Sequence, residues 1–264
     1  MSTAASLVER RGGDDSIVVR KPSASKMALN LTLLALVALT VYGMLTIDTR
    51  GANLIEATGE LFRYFGLMFG RPELSQHVPF GHALRQVLVT LALAFMTTLI
   101  GAVVALVLGL LAARNLTNQR VSNVIKGFIA FVRAIPTVLW VLIFAIGAGL
   151  GAVAAVIGMS FHTVGYLLKA YSESFEELDE GVIEALRASG ASWLQIVFQA
   201  VLPSSVTYLL SWTFIRFEIN FAVAVAMGAA AGAGGIGFEL VMAARFLYDI
   251  REIGAITYLI LSVA

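Results

Sequence analysis

The chain has no cysteine, only three histidines and five prolines, and little charge: 13% of its 264 residues. Without cysteine there can be no disulfide, no thiolate metal site and no cysteine nucleophile. His77, His82 and His162 are scattered and form no ligand set, so no metal site is expected. No His-Asp-Ser set or paired-carboxylate constellation appears either, so catalysis within this chain is not expected. A soluble domain carries roughly 25% charged residues, and this chain falls well short of that. The net charge of +1 gives no reason to propose nucleic acid as a partner. What is present is apolar: 59% of the residues are hydrophobic and the mean hydropathy is +0.87.

A bilayer core of about 30 Å takes about 20 helical residues. Runs of that kind lie at 27–47, 83–112, 127–147, 151–170 and 204–224, and a last one begins near Ile253. This is the pattern of an all-α polytopic membrane protein with about six transmembrane helices. The first run is longer than a signal-peptide core and has no small-residue cleavage pattern after it, so it reads as a retained span. Residues 1–26 read as a flexible cytoplasmic tail, and 27–264 as the transmembrane domain. The tract 225–246 is apolar but rich in glycine and reads as a broken or re-entrant segment. The run from Ile253 holds about 18 Å of helix before Ala264, which is expected to be a span cut short.

With the N-terminus inside, basic residues in the loops and span ends divide ten to six in favour of the cytoplasm. That orientation puts 171–203 on the cytoplasmic side. On the other side, "LIEATGELFRYFGLMF" spaces Leu54, Leu61, Phe62, Phe65 and Phe69 as on one helical face. That suggests an amphipathic helix, lying at the outer membrane surface or, as we expect, capping the bundle.

The most informative stretch is "EALRASGASWLQIVFQAVLP", 184–203. Asp179 is a candidate N-cap for a short helix, and Gly190 sits where such a helix would end in a left-handed residue. Ser192 and Gln195 then have capping-box spacing for a second helix. Val182, Ile183 and Leu186 make one apolar face; Trp193, Val197 and Val201 make another. Pro203 suits the first turn of the next span, where its missing N–H is not needed. Two stiff rods meeting at a fixed bend can pass a push from a docked partner to the bundle.

These residues resemble the EAA loop of bacterial ABC-importer permeases, whose pattern is E-A-A, three residues, G, nine residues, I-x-L-P. Glu184, Ala185, Gly190, Leu202 and Pro203 match with that spacing, while Leu186 and Ala200 depart from it by apolar replacements. The resemblance implies a permease of the methionine-importer-like fold in a bacterial plasma (inner) membrane, multi-pass and surrounded by lipid. Its coupling helix lies in 179–203 and docks on a cytoplasmic ABC ATPase dimer. ATP and magnesium belong to that partner, with no cofactor in this chain. It further implies an extracytoplasmic substrate-binding protein and a second copy of the permease, forming a homodimer. Of the acids Glu173, Glu176, Glu177, Asp179, Glu180 and Glu184, only Glu184 has the motif behind it; the rest read as a solvated face.

Two further stretches narrow the resemblance. "FVRAIPTVLW", with Arg133 and Pro136, is similar to the R-S/A-I-P element of phosphonate and methionine importers. "RFEIN" followed by "GAGGIG" resembles permeases of the phosphonate and phosphate-ester group. This likeness covers about 80–260 and leaves 1–26 unaccounted for. It implies transport of phosphonate or related phosphate-containing anions.

Arg216 and Asn220 share a helical face well inside a span, and Glu218 points roughly 200° away. Two readings stand for Arg216: it faces the substrate pathway with Asn220, or it is structural. Glu218 reads as half of a structural ion pair with Arg133. Gly232, Gly234 and Gly235 either permit close helix packing or form an unwound turn offering N–H groups to an anion. The dinucleotide reading of "GAGGIG" fails, because no strand precedes it and no βαβ unit surrounds it. Gly101, Ala102, Ala105 and Gly109 suggest a helix–helix interface. A permease for methionine or another small solute is the alternative within the family. An ion-driven secondary transporter is the rival of another class, and it would be expected to carry inverted repeats.

Overall fold

The computed structural model describes residues 8–9, 18–19, 24–47 and 53–264. The expected tail therefore lies largely outside the described residues. The chain divides into two units, Met1–Gly59 and Glu60–Ala264.

In the first unit, β1 (Val8–Glu9) pairs antiparallel with β2 (Val18–Val19). Helix α1 (Ala24–Thr46) follows, starting inside the stretch expected as tail, and none of its side chains is buried. At 1.5 Å per residue it is about 34 Å long, enough to cross a bilayer core. Its polar hydroxyls are satisfied locally: Thr32, Thr40 and Thr46 each donate to the carbonyl four residues back. Helix α2 (Leu54–Gly70) begins in this unit and continues into the second.

The second unit is built on α3 (Phe80–Ala112), α6 (Ala152–Glu176) and α9 (Leu202–Ala230). Gly101, Ala105 and Gly109 are buried on α3, and the two glycines lie against Thr163 and Tyr171 of α6. The small-residue stripe read from the sequence thus packs two helices of this one chain. The end of α2 packs on α11 (Ile250–Leu261), as a capping helix should. There Tyr258 meets the Phe69 ring edge-on and donates its hydroxyl to the Phe69 carbonyl at 2.9 Å.

Two prolines produce opposite results. The expected span 127–147 is not one helix: α4 (Gln119–Ala134) and α5 (Thr137–Ala148) meet at 86°. Pro136 forces Ile135 out of the helical region (ψ 124°), and the chain turns. Pro203, in contrast, does not end a helix. After α7 (Glu180–Ala188), α8 (Trp193–Ile196) runs through a five-residue π turn, Val197–Val201, directly into α9. The wider turn joins the Leu202 N–H to the Val197 carbonyl and absorbs the donor that proline lacks. The second rod of the bent arm is therefore the start of a 38-residue helix, Trp193–Ala230, and not a separate piece ending at Leu-Pro.

The glycine-rich tract is broken, as expected. It comprises a turn after Ala230, α10 (Ile236–Met242), a second π turn over Ala243–Leu247, and a left-handed Tyr248 before α11. Among the described residues four helices are long and apolar enough to cross a membrane, or five if the bent α4–α5 pair counts as one span. The sequence reading of about six differs because α11 has only 12 residues.

Candidate functional site

Local chemistry builds the bent arm. Asp179 accepts the Gly181 N–H at 2.8 Å and caps α7. At the other end the Ala191 N–H reaches back to the Leu186 carbonyl at 3.0 Å, the closure typical of a glycine-ended helix. Gly190 lies between them at φ +84°, a conformation that strains any residue with a Cβ. Ser192 and Gln195 then satisfy each other's N–H groups, at 3.4 and 2.7 Å, and α8 begins.

The arm is seated on the bundle by the loop 113–118. Arg187 donates to the Asn115 carbonyl at 3.0 Å, and the Trp193 indole to the Leu116 carbonyl at 3.1 Å. Asn115 in turn donates to the Phe175 carbonyl at 2.7 Å. Ile183, Ile196 and Val197 are buried in one apolar cluster with Leu116 and Phe175. The motif residues Glu184, Ala185 and Gly190 remain exposed, Leu186 and Leu202 are half-buried, and Pro203 is exposed. A cleft of about 190 Å³ runs between Arg114, Asn115, Glu180, Ile183, Glu184 and Arg187. The arm thus has a fixed inner face and an outer face on which Glu184 and Ala185 stand beside exposed Val182, Leu194 and Phe198, a mixed surface that a docking partner can cover.

A second cluster lies in the core of the bundle, on α3, α6 and α9. Asn220 is 0% and Arg216 7% exposed. The Asn220 amide donates to Thr98 at 2.9 Å and its oxygen accepts from Thr163 at 3.1 Å. Arg216 sends Nε and Nη2 to that same Thr163 hydroxyl, both at 3.3 Å, and lies 5.2 Å from the centre of the Tyr166 ring. A guanidinium has five N–H donors, and here they share one neutral hydroxyl and one aromatic face. Among the described residues no carboxylate pairs with Arg216. A buried cation is normally paired, so this one has electrostatic capacity for an anion.

The expected Arg133–Glu218 ion pair is absent among the described residues. Glu218 is exposed on α9, turned away from Arg216 as helical spacing requires, while the Arg133 stem lies along Gly165 of α6.

Gly232, Gly234 and Gly235 all have positive φ, so the turn is unwound. Several of its N–H groups are already engaged. Ala233 donates to the Gly228 carbonyl at 2.9 Å, Gly235 to Gln86 Oε1 at 3.0 Å and Ile236 to Thr90 Oγ1 at 2.9 Å. Below them Glu239 lies 2.9 Å from His82 Nε2. The turn is latched to α3, and a Cβ at Gly237 would run into the Val225 carbonyl.

Sequence reasoning missed Thr98, Thr163 and Tyr166 around Arg216, and Gln86 and Thr90 under the glycine turn. The available signal was polar residues inside apolar spans: Thr90, Thr97 and Thr98 all lie on α3 and all are buried.

Residues 105–264, more than half of the chain, match the family of binding-protein-dependent transport system inner membrane components. The phosphite transport system permease protein PtxC of Stutzerimonas stutzeri is 35% identical over 180 residues, 68% of this chain and 65% of that one. The phosphate-import permease protein PhnE of Mycolicibacterium smegmatis is 33% identical over 176 residues, 66% of this chain and 33% of that one. The match thus spans just under two thirds of the first relative and a third of the second. In fold, the chain resembles an inward-facing conformation of the MetNI methionine ABC transporter. The TM-score is 0.65 at 23% identity, over 72% of this chain and 92% of that one.

Proposed function

Because the chain belongs to the family of binding-protein-dependent transport system inner membrane components, we propose that it is the translocation subunit of an ATP-driven importer for phosphate-class oxyanions. The substrates in view are phosphonate, phosphite and phosphate. The observation that carries this reading is the buried Arg216, held by Thr163 and Tyr166 and paired with no carboxylate among the described residues. An arginine fork matches the oxygens of a phosphorus oxyanion, and an uncompensated cation in a membrane bundle attracts one. Asn220, which shares its face, supplies an amide already oriented by Thr98. Relatives named for phosphite and phosphate transport support the same class of cargo.

The arm 179–203 is the docking element for a cytoplasmic ATPase dimer. Its exposed Glu184 and Ala185 meet the partner, and ATP and magnesium are bound and consumed there. This placement requires the N-terminus inside, the orientation that the basic residues favour. A substrate-binding protein delivers cargo on the opposite side, and a second permease copy completes two-fold symmetry with the two ATPases. The membrane is a bacterial inner membrane. Gly232–Ile236 acts as a latch beside the pathway, because the Gly235 and Ile236 N–H groups are taken by Gln86 and Thr90.

The test is uptake by vesicles containing the permease, its ATPase and its binding protein, supplied in turn with methylphosphonate, phosphite, phosphate and methionine. The expected result is ATP-dependent uptake of a phosphorus oxyanion that Arg216→Ala abolishes while the complex still assembles. Uptake of methionine alone, or unchanged uptake by the variant, overturns the reading.

A further inference from the structure

A second cluster of charge in the second unit lies between α4 and α6, beside the arm, and its Arg133 is near enough to Arg216 for the two positive charges to repel. A cavity of about 390 Å³ opens there, with Arg114, Lys126, Arg133, Lys169, Glu173 and Glu176 in its walls. Four cations thus face two carboxylates, and both carboxylates are engaged. Glu176 Oε1 accepts from Lys126 Nζ at 2.7 Å and from the Arg114 backbone N–H at 2.8 Å. Glu173 lies 3.7 Å from Lys169 Nζ. The guanidinium groups of Arg114 and Arg133 have no carboxylate partner among the described residues. Gly165 makes room for one of them: a Cβ there would meet Arg133 Cγ at 2.7 Å, so the missing side chain lets the arginine stem lie flat on α6.

Two unpaired forks and a surplus of two positive charges in one concave wall suit a phosphate-type group, whose oxygens take charge-assisted hydrogen bonds from such donors. We infer that this cavity binds a phosphate-class oxyanion through Arg114 and Arg133, as the headgroup of an anionic phospholipid or as a free anion. Ile129 lines this cavity and also a second, wholly apolar cleft of about 300 Å³ between α3, α4 and α6. A basic pocket beside an apolar cleft is the arrangement that holds anionic lipid in membrane proteins. The site also touches the arm. Arg114 lines the cleft with Glu180 and Glu184 as well, and Glu176 ties the loop 113–118 to α4. An anion bound here therefore bears on the seat of α7. The inference does not rest on Arg216 or on the identity of the cargo.

Two probes test it on the full chain. Inorganic phosphate binding is measured by equilibrium dialysis in phosphatidylcholine nanodiscs. Retention of phosphatidylglycerol is measured by lipid mass spectrometry after reconstitution into mixed phosphatidylcholine–phosphatidylglycerol vesicles and repurification. Because Arg216 is itself proposed to bind such anions, the comparison is made in an Arg216→Ala background, with and without Arg114→Gln/Arg133→Gln. The added pair of substitutions should weaken one probe by about tenfold or more, as expected for lost charge-assisted bonds. Loss of phosphate binding identifies a free-anion site; loss of phosphatidylglycerol identifies a lipid headgroup site. If the added pair prevents assembly, Arg133→Gln alone in that background is read the same way. The inference is overturned if the Arg216→Ala chain binds neither probe, or if Arg114→Gln/Arg133→Gln leaves both unchanged in that background.

Discussion

The bent arm and the Arg216 cluster are opposites in construction. The bonds that cap and close the arm's two rods join residues at most five positions apart: Asp179 to Gly181, Leu186 to Ala191 and Ser192 to Gln195. Only its seat, through Arg187 and Trp193, reaches the loop 113–118. Every inter-residue bond that holds Arg216 and Asn220 in place crosses between helices, with partners 53 to 122 positions away. One is exposed and tolerates a partner on its free face; the other is buried and closed by three helices. Local capping suits a part that must keep its shape while its surroundings move. Long-range polar contacts suit a part that must register how those helices sit.

The contrast is sharpened most by removing the charge. Arg216→Ala should lower uptake by about a hundredfold or more, the scale of two lost charge-assisted hydrogen bonds, with assembly unchanged on gel filtration. Arg216→Lys should not restore it, because a point charge cannot reproduce the fork. Normal uptake by either variant would remove the cluster from the pathway.

Next in size is Gly190→Pro. A ring-locked φ near −65° replaces +84° and the Gly190 N–H is lost, so the bend is destroyed. Substrate-stimulated ATP hydrolysis should vanish, while basal hydrolysis by the ATPase persists; stimulation that survives would mean the arm is not the docking element. Asn220→Leu should destabilise the bundle by about 1–3 kcal/mol, because Thr98 and Thr163 lose their shared partner; thermal unfolding reads it. The smallest effect belongs to Ser192→Ala, about 1 kcal/mol at one helix start. It should appear as faster amide exchange confined to the first turn of α8. A global loss of stability would break the claim that the arm is locally built.

The same division decides what could be read from the sequence. Asp179, Gly190 and the Ser192–Gln195 box were legible because a cap and its partner are near neighbours in the chain. Arg216 and Asn220 could be placed on one face by helical spacing, but Thr98, Thr163 and Tyr166 could not be chosen. Nothing local distinguishes a threonine that meets a neighbouring helix as well as its own backbone, as Thr98 and Thr163 do, from one bonded to its own backbone on an exposed helix, as Thr32 is. Pro136 and Pro203 show the same limit. Both remove an N–H, yet one breaks its helix by 86° and the other is absorbed by a widened turn. The outcome depends on what packs around the break: Val197, Ala200 and Val201 are buried around the second. Hydropathy located the spans, and it failed where length was short, at α5 and α11.

The unbroken run Trp193–Ala230 has a mechanical consequence. Its 38 residues make a shaft about 57 Å long, with the indole anchored at Leu116 near one end and Arg216 about 35 Å along it. Pivoting such a shaft by about 10° would sweep its far tip through roughly 10 Å, given that length. A small rotation delivered at the foot is thereby geared up into a displacement comparable to the width of a helix.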